Sequence, residues 1–390
     1  MTNWGKISLK LHKKWKGKLA VQSKAPLRTR FDLSTAYTPG VAQPCLEIAK
    51  RPAAVYEYTW KGNSVAVLSN GTRVLGLGNI GPLAALPVME GKSILFKQFA
   101  NIDAVPICVN AASVEEMVAI GKAIAPTFGG INLEDISVPN CFEIEDQLVK
   151  ALDIPVFHDD QHGTAIVATA VMLNALKATH RDIRTARIVC NGVGAAGSAI
   201  LKMLHVAGAR NIVAFDSIGA LTMKRKDIRG SYKKKLLPLV KNFNGDFVEC
   251  LESADVFIGT AGKANILSQE MVRSMNSDSV VIALSNPNPE IMPPLAYAAG
   301  AKIVCTGRSD FPNQANNVLV FPGIFRGALD SRAKKITAKM KLAAAYALSG
   351  LVSEKERRKG VVIPSPFDKR VAKTIAKAVA DQAKREGVTR

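Results

Sequence analysis

The most constraining feature of this sequence is an alternation of strand-like and helix-like segments that begins at residue 187. Short runs rich in β-branched residues are separated by segments of helical length, which is the pattern of a parallel sheet with helices on both faces. We therefore predict an α/β protein whose C-terminal half contains a doubly wound parallel sheet. The predicted strands of that sheet are Arg187–Cys190, Asn211–Phe215, Ala254–Ile258, Ser279–Leu284 and Lys302–Cys305.

A GxGxxG sequence at residues 192–197 lies between the first of these strands and an uninterrupted helical segment, Ala195–Val206. In such a strand–turn–helix unit, the N–H groups at the helix N-terminus face the pyrophosphate of a dinucleotide. The next strand ends at Asp216, whose carboxylate can bind the ribose hydroxyls. The predicted dinucleotide site therefore comprises Gly192, Val193, Gly194, Ala195, Ala196, Gly197 and Asp216.

Asp216 also bears on the choice between NAD and NADP. A carboxylate at this position would face the 2′-phosphate of NADP, and like charges about 4 Å apart repel by a few kcal/mol at an effective dielectric constant of about 20. Lys224, Arg225 and Lys226 follow closely and would offset part of that repulsion. We predict a preference for NAD and leave the use of NADP open.

A second GxGxxG sequence, at residues 76–81, lies in the N-terminal third. Pro82 and Pro87 follow it where a helix would have to run, and a proline inside a helix costs about 3 kcal/mol. We interpret this motif as a tight turn near a substrate site. The strand patterns of this half are Ser64–Leu68, Arg73–Leu77, Lys92–Phe96, Val105–Val109 and Ile154–Phe157. Helical patterns cover Val114–Ala125, Gly163–Thr179, Ser331–Leu351 and Val371–Lys384.

Two acidic pairs, Glu134-Asp135 and Asp159-Asp160, stand out in a chain without clustered His or Cys ligands. Asp159-Asp160 follows a predicted strand, and α/β proteins place their chemistry at the carboxyl ends of strands. A metal bound here would have oxygen ligands, which suits Mg²⁺ or Mn²⁺ better than Zn²⁺. Solvated loop carboxylates are the simpler interpretation of either pair taken alone.

The net charge of +20 is concentrated in three segments. Residues 1–30, 221–241 and 330–390 carry +9, +7 and +10, so the remainder, which includes every motif above, carries −6. We interpret this excess as a solvated basic coat, with polyanion binding as the alternative. The six cysteines are scattered singly, which fits reduced thiols, and no apolar run reaches the roughly 18 residues of a membrane span. We predict a cytoplasmic protein with no nucleic-acid or membrane partner.

Long and uncommon sequence stretches throughout the chain resemble those of malic enzymes of the short, prokaryotic type. These stretches are Asp32–Val41, Val74–Pro82, Val88–Lys92, Asn132–Asp135, Phe157–Thr164, Ala283–Glu290, Thr306–Gln314 and Asn316–Gly323. The resemblance implies an N-terminal malic-type α/β domain, residues 1–160, and a C-terminal NAD(P)-binding Rossmann domain with a helical tail, residues 161–390. It also implies oxidative decarboxylation of L-malate to pyruvate and CO₂ with NAD or NADP and Mg²⁺ or Mn²⁺, by a homodimer or higher homo-oligomer.

The resemblance further assigns roles to residues that match the family motifs. Tyr37 matches the general acid, Lys92 the general base, and Asp159 the partner of that base. We expect a lowered pKa at Lys92, so that its amine can accept the proton of the C2 hydroxyl. The remaining matches are Glu134, Asp135 and Asp160 as metal ligands, Asn286 at the cofactor, and Asn317, Arg73 and Lys92 at the substrate.

Two other functions fit parts of the sequence. Another two-domain NAD(P)-dependent dehydrogenase, such as an amino-acid dehydrogenase, would also use a lysine and an aspartate, but it would not need three carboxylates around a metal. A polyanion-binding protein on an inactive dehydrogenase scaffold would bind DNA in a salt-dependent manner. Sensitivity of the activity to EDTA separates the first alternative from a malic enzyme.

Overall fold

Two parallel sheets organise the computed structural model, which describes residues 3–74 and 76–390. The strands are β1 (Ser64–Ser69), β2 (Asp103–Cys108), β3 (Gly130–Leu133), β4 (Val156–His158), β5 (Ile188–Asn191), β6 (Ile212–Phe215), β7 (Val256–Gly259), β8 (Val280–Ala283) and β9 (Ile303–Thr306). The first sheet has the order β2-β1-β3-β4 and the second the order β6-β5-β7-β8-β9. Every pairing in both sheets is parallel.

Helices connect the strands and cover both sheets. The α-helices are α1 (Trp4–Trp15), α2 (Arg30–Ala36), α3 (Ala42–Lys50), α4 (Val55–Tyr58), α5 (Gly81–Ala100), α6 (Val114–Ile124), α7 (Asn140–Ala151), α8 (Asp159–Ala178), α9 (Ala195–Val206), α10 (Phe247–Leu251), α11 (Gln269–Ser274), α12 (Pro293–Ala298), α13 (Phe321–Asp330), α14 (Ala338–Ser349), α15 (Glu354–Arg358) and α16 (Arg370–Arg385). Short 3₁₀ helices cover Pro52–Ala54, Trp60–Asn63, Tyr232–Leu239 and Asn317–Leu319. None of the helices in the described ranges is long and apolar enough to cross a membrane.

The predicted α/β class and the parallel C-terminal sheet are confirmed. Helix α9 begins and ends where the sequence pattern placed it, and the five strands of the second sheet lie within one or two residues of their predicted bounds. In this sheet, β6 lies on one side of β5 and β7 on the other. The crevice at the carboxyl ends of β5 and β7 is therefore the topological switch point, where α/β proteins bind ligands.

The strand predicted at Lys92–Phe96 is wrong, because these residues lie within helix α5. Pro82 lies in the first turn of α5, where a backbone N–H has no helical partner and proline is tolerated. Pro87 lies inside the helix, whose face is nevertheless buried through Ala85, Met89 and Phe96. Burial of this face offsets the local cost of the proline, so the sequence argument against a helix fails here.

Three further segments differ from their predicted form. The strand predicted at Arg73–Leu77 is limited to an isolated bridge between Val74 and Gly78, and Leu75 lies outside the described residues. Strand β3 was missed, because its four residues are too short to show an alternation. Helix α8 begins at Asp159 rather than at Gly163, so the acidic pair lies in its first turn.

Alternate residues of each strand pack into different apolar clusters, so both faces of both sheets are buried. In β5, Ile188 belongs to one cluster and Val189 to another. In β1, Val65 belongs to the cluster that contains Ile188, whereas Ala66 faces a third cluster. The cluster shared by Val65 and Ile188 also contains residues of α8, α13, α14 and α16. The C-terminal helices thus pack back onto both halves of the chain.

Candidate active site

The two acidic pairs come together at the carboxyl ends of neighbouring strands. Leu133 in β3 is the register partner of His158 in β4. Glu134 and Asp159 follow these two residues directly, so parallel pairing brings both acidic pairs to one edge of the first sheet. Because β1 and β3 flank the point where the strand order reverses, this edge is also a topological switch point.

Glu134, Asp135 and Asp160 offer carboxylate oxygens that all lie within 4.8 Å of one another. The backbone N–H of Asp135 donates to Oδ2 of Asp160 at 2.8 Å, and Asn132 Nδ2 donates to Oε2 of Glu134 at 2.9 Å. These bonds orient two of the three carboxylates. An all-oxygen donor set of this size, with room for substrate and water oxygens, fits Mg²⁺ or Mn²⁺.

Lys92 lies against this cluster and is only 7% exposed. Its Nζ lies 2.5 Å from Asp159 Oδ2 and 2.8 Å from Glu134 Oε1. The ammonium group also lies 4.2 Å from the ring centroid of Phe321. The lysine is thus held by one carboxylate of each acidic pair, and the geometry brings together Lys92, Asp159 and the three predicted metal ligands.

Burial dominates the ionisation of this cluster. It raises the pKa of Glu134 to about 7 and that of Asp160 to about 6, and the negative charges of the neighbouring carboxylates add to the effect. Burial likewise raises the pKa of Asp159 to about 7. Lys92 behaves in the opposite way to our expectation: burial disfavours its charge, but Asp159 and Glu134 outweigh this and raise its pKa. The expected lowering of the Lys92 pKa is therefore wrong for this arrangement.

Four carboxylates lie at this edge with two cations, the ammonium group of Lys92 and the guanidinium group of Arg73, so the cluster carries excess negative charge in a buried environment. Such charge is costly unless it is paired or binds a cation. The residues present therefore fit a divalent cation, on the basis of both the donor chemistry and the charge.

Arg73 connects this cluster to the second half of the chain. Its backbone N–H donates to the carbonyl of Asp135 at 3.0 Å, and its positive charge opposes the rise in the pKa of Asp160. Its Nη2 lies 3.5 Å from the position that a Cβ on Gly262, after β7, would occupy. The Arg73 side chain thus lies between the acidic cluster and the dinucleotide crevice.

The first glycine motif forms a turn, as predicted, and it touches the other half of the chain. Gly78 and Gly81 have positive φ angles of 77° each. A Cβ on Gly76 would lie 2.9 Å from the carbonyl oxygen of Asn286, which follows β8. Asn286 is exposed at the carboxyl edge of the second sheet.

The other predicted substrate and acid residues differ in their surroundings. Asn317 lies close to the acidic cluster, where its side chain opposes the rise in the pKa of Asp159. Tyr37 caps the C-terminal end of α2 and is 67% exposed. Tyr37 is therefore the one predicted catalytic residue that lies on the open surface of the described chain.

The second glycine motif has the geometry that dinucleotide binding requires. Gly192 has a φ of 104°, and a Cβ on it would lie 2.6 Å from the backbone nitrogen of Ala261. A Cβ on Gly197 would lie 1.9 Å from the carbonyl oxygen of Gly192. Gly194, in contrast, faces open space. Two glycines thus allow a tight turn and close helix packing, while the middle one leaves room for a pyrophosphate at the N-terminus of α9.

Asp216 follows β6, but its carboxylate is already engaged. Arg225 donates to both of its oxygens, at 2.8 and 2.9 Å, and Lys233 Nζ lies 2.6 Å from Oδ2. Burial disfavours the charge of Asp216, yet the hydrogen bonds from these two cations hold its pKa well below the ordinary range. Arg225 also pairs with Asp227, at 2.5 Å, so two cations and two carboxylates balance at this position.

Sequence reasoning missed four residues that support these sites. Asn132 and Phe321 contact Glu134 and Lys92, and Lys233 binds Asp216 from 17 positions away in the chain. Glu145 accepts hydrogen bonds from the backbone N–H of His158 and from the side chain of Gln161, and it lies 2.9 Å from Nε2 of His162. Asn132 and Phe321 lie in family-like stretches and so carried a signal, whereas the contacts of Lys233 and Glu145 depend on tertiary packing.

Comparisons with known proteins cover both halves of the chain. The protein-family model of the malic enzyme N-terminal domain matches residues 16–149. The family model of the malic enzyme NAD-binding domain matches residues 161–384. The chain is 54% identical over 385 residues to the bifunctional malic/malolactic enzyme of Bacillus subtilis, which covers 98% of this chain and 94% of that protein. It is 51% identical over 376 residues to the NAD-dependent malic enzyme of Geobacillus stearothermophilus, covering 96% and 78% of the two chains.

A crystal structure of malic enzyme from Pyrococcus horikoshii has the same fold. It superposes with a TM-score of 0.92 at 49% sequence identity, covering 96% of this chain and 88% of that chain. The fold, the acidic cluster and the dinucleotide turn thus agree with the sequence comparisons. This chain belongs to the malic enzyme family.

Proposed function

We propose that this protein oxidises and decarboxylates L-malate to pyruvate and CO₂, with NAD or NADP as oxidant and Mg²⁺ or Mn²⁺ as metal. The observation that carries this proposal is the cluster of Glu134, Asp135 and Asp160 beside the buried Lys92, joined to the dinucleotide crevice through Arg73. The substrate malate is taken from the names of the relatives, since the geometry alone supports only a metal and a dinucleotide.

Within this proposal, Lys92 is the base that accepts the proton of the C2 hydroxyl, and Asp159 holds the lysine in position. When bound, the divalent cation would supply positive charge that polarises the C2 oxygen and offsets the carboxylates that keep Lys92 charged. The oxidised nicotinamide would supply the hydride acceptor. Arg73 and Asn317 flank the same space and would bind the substrate carboxylates.

Decarboxylation leaves the enol of pyruvate, which must gain a proton at C3. Tyr37 is the proposed donor. Its exposure in the single chain means that this step requires closure of the cleft or association with a second chain to exclude water.

We also propose that the protein is a homodimer or higher homo-oligomer. Helices α1, α2 and α3 contain no buried residue. They expose large apolar side chains, including Trp4, Leu9 and Phe31, and a contiguous apolar surface of this kind marks an interaction site. Light scattering should therefore give at least twice the mass of 41.7 kDa.

The coenzyme site supports the use of both NAD and NADP. The sequence predicted a preference for NAD, because the Asp216 carboxylate would repel a 2′-phosphate. Arg225 and Lys233 pair with this carboxylate, and Arg225 also pairs with Asp227, so a phosphate placed here would meet a charge-balanced cluster and not a bare carboxylate. We further propose that the N-terminal domain ends near residue 160, at the start of α8, and that the protein is cytoplasmic, in keeping with six free cysteines.

A malate-dependent absorbance assay at 340 nm tests the proposed function. The assay is run with NAD and with NADP, each with Mn²⁺ and after treatment with EDTA, and pyruvate is quantified as the product. We expect reduction of the coenzyme and equimolar pyruvate only when the metal is present. Turnover that survives EDTA, or no turnover of malate with either coenzyme, would contradict the proposal.

A further inference from the structure

A cavity of about 220 Å³ lies between the two halves of the chain. Its walls come from α7 and α8 on one side and from α9, α14 and the 3₁₀ segment Tyr232–Leu239 on the other. Pockets between structural units are common ligand sites, and this volume lies below the roughly 300–1,000 Å³ of sites for drug-sized molecules. The cavity therefore suits a small ligand.

Three lysines line this cavity: Lys202, Lys235 and Lys341. None of them makes an ion pair or a hydrogen bond with the residues in the described ranges. The Lys202 and Lys341 ammonium groups instead lie 5.9 Å and 5.7 Å from the ring centroids of Phe142 and Phe157. These cations are therefore available to an anion from solution.

Two carboxylates, Glu145 and Asp146, also line the cavity. Glu145 is committed elsewhere: one of its oxygens accepts the His158 N–H at 2.9 Å, and the other contacts Gln161 and His162 at 3.1 and 2.9 Å. Three ammonium groups thus face two carboxylates, one of which is fully engaged. A net positive charge in a recess raises the local concentration of small anions.

The apolar part of the wall indicates what kind of anion fits. The rings of Phe142 and Tyr232 pack at a centroid distance of 4.8 Å, and Val149, Leu236 and Ile336 complete the surface. A fitting ligand would place a carboxylate or phosphate group against the lysines. It would place a short carbon skeleton against these apolar side chains.

Residues in the walls of this cavity also contact the dinucleotide turn and the residue that precedes Asp159. The Tyr232 hydroxyl donates to the Val193 carbonyl at 2.9 Å, and Ser198, which also lines the cavity, donates to the same carbonyl at 2.8 Å. Val193 lies within the dinucleotide turn. On the opposite wall, Glu145 holds the backbone of His158, the residue before Asp159.

We propose that this cavity is an effector site that binds a small organic anion and changes turnover through the dinucleotide turn and the start of α8. This site is separate from the proposed active site, and its occupancy can be measured without catalysis. Coupling follows because a ligand that orders Tyr232 and Glu145 acts on groups that position the coenzyme and the acidic cluster.

Isothermal titration of the full chain tests binding. The protein is first saturated with NADP, which fills the dinucleotide crevice, and is then titrated with benzoate or with inorganic phosphate as probes of the carboxylate and phosphate classes. We expect saturable binding of at least one probe. The double variant Lys202→Gln, Lys235→Gln should weaken it at least tenfold, and Lys177→Gln, a change at an exposed lysine of α8, should leave it unchanged.

Both lysines of the double variant are exposed, so their replacement should leave the circular dichroism spectrum unchanged. Equal binding to the double variant and the wild type would overturn the site, as would the absence of saturable binding of both probes. Coupling is tested next: the bound probe should change kcat or KM for malate at least twofold in the wild type and not in the double variant. Binding without any kinetic change would overturn the effector role.

Discussion

The carboxylates at the two sheet edges have different charge balances. At the ends of β3 and β4, four carboxylates lie with only two cations, Lys92 and Arg73, and burial raises the pKa values of Glu134, Asp159 and Asp160. At the end of β6, Asp216 and Asp227 are matched by the two cations Arg225 and Lys233, and the pKa of Asp216 is held low.

The difference indicates which ligand each edge receives. A buried site with excess negative charge is completed by a cation, whereas a site whose carboxylates are already paired needs none. The first edge thus fits a divalent metal, and the second does not repel a phosphate group as a bare carboxylate would. Each of the following substitutions removes a charged group from one of the two edges, and the largest effect is expected at the first edge.

The largest effect is expected for Lys92→Ala. Loss of the proposed base should lower kcat/KM for malate by about 10²- to 10⁴-fold, the usual contribution of a positioned acid–base group. Lys97→Ala, a change at an exposed lysine of the same helix, serves as the control and should stay within about twofold of the wild type. Steady-state kinetics at saturating Mn²⁺ gives the comparison. A Lys92→Ala activity within tenfold of the wild type would remove this lysine from the chemistry.

Asp160→Asn should weaken metal binding more than it affects the fold. Replacing one of three carboxylate ligands should raise the Mn²⁺ concentration for half-maximal activity at least about tenfold, since even groups behind the ligands contribute 10- to 100-fold to affinity. Electron paramagnetic resonance of free Mn²⁺ measures the same affinity without catalysis. Asp153→Asn, at an exposed aspartate before β4, should titrate like the wild type. An unchanged titration of Asp160→Asn would contradict its role as a ligand.

Lys233→Gln should shift the choice of coenzyme. Removing one of the two cations beside Asp216 lets its carboxylate repel the 2′-phosphate, so the ratio of kcat/KM with NADP to that with NAD should fall about tenfold, or about 1.4 kcal/mol. Lys234→Gln, at the neighbouring exposed lysine, is the matched control. If both variants keep the wild-type ratio, Lys233 does not discriminate between the coenzymes.

Asp216→Asn should give the smallest effect, on stability. The folded-state pKa of Asp216 is lower than its ordinary value of about 3.9. Its contribution is therefore fully present above the ordinary value and is lost progressively as the pH falls from that value through the lower folded-state pKa. We expect a loss of about 1 kcal/mol in the free energy of unfolding at pH 7, between the values for exposed and buried pairs.

Urea titrations at pH 7 and at about pH 3.5 measure this difference. The gap between the variant and the wild type should narrow at the lower pH. A gap that stays constant or widens on acidification would show that the ion pairs with Arg225 and Lys233 do not stabilise the fold.

Local patterns predicted the second sheet well and the first sheet only in part. The Gly192–Gly197 turn, α9 and Asp216 form a contiguous unit whose signals all lie within 30 residues. Lys92 was assigned to a strand from the short apolar pattern of Lys92–Phe96, whereas tertiary burial of Met89 and Phe96 in a helix decided the outcome. Intrinsic helix propensity predicts secondary structure poorly wherever tertiary packing can bury one face of the segment.

The charge balance at each sheet edge could not be predicted from the sequence. The resemblance to malic enzymes selected Lys92 and the carboxylates, but the direction of the Lys92 pKa depends on contacts with Asp159 and Glu134, which lie 67 and 42 residues away. Likewise, Lys233 lies within a run of three lysines, of which only this one reaches Asp216.

The apolar cluster that joins Val65, Ile188 and the interior of α8 has a consequence for how this protein melts. The two sheets are distinct in topology, but one face of each packs into this shared cluster, so we expect thermal denaturation to be a single cooperative event rather than two successive ones. Dividing the chain at the boundary between the sheets would expose the apolar surface of α8 to solvent. We expect each of the two fragments to aggregate rather than fold independently.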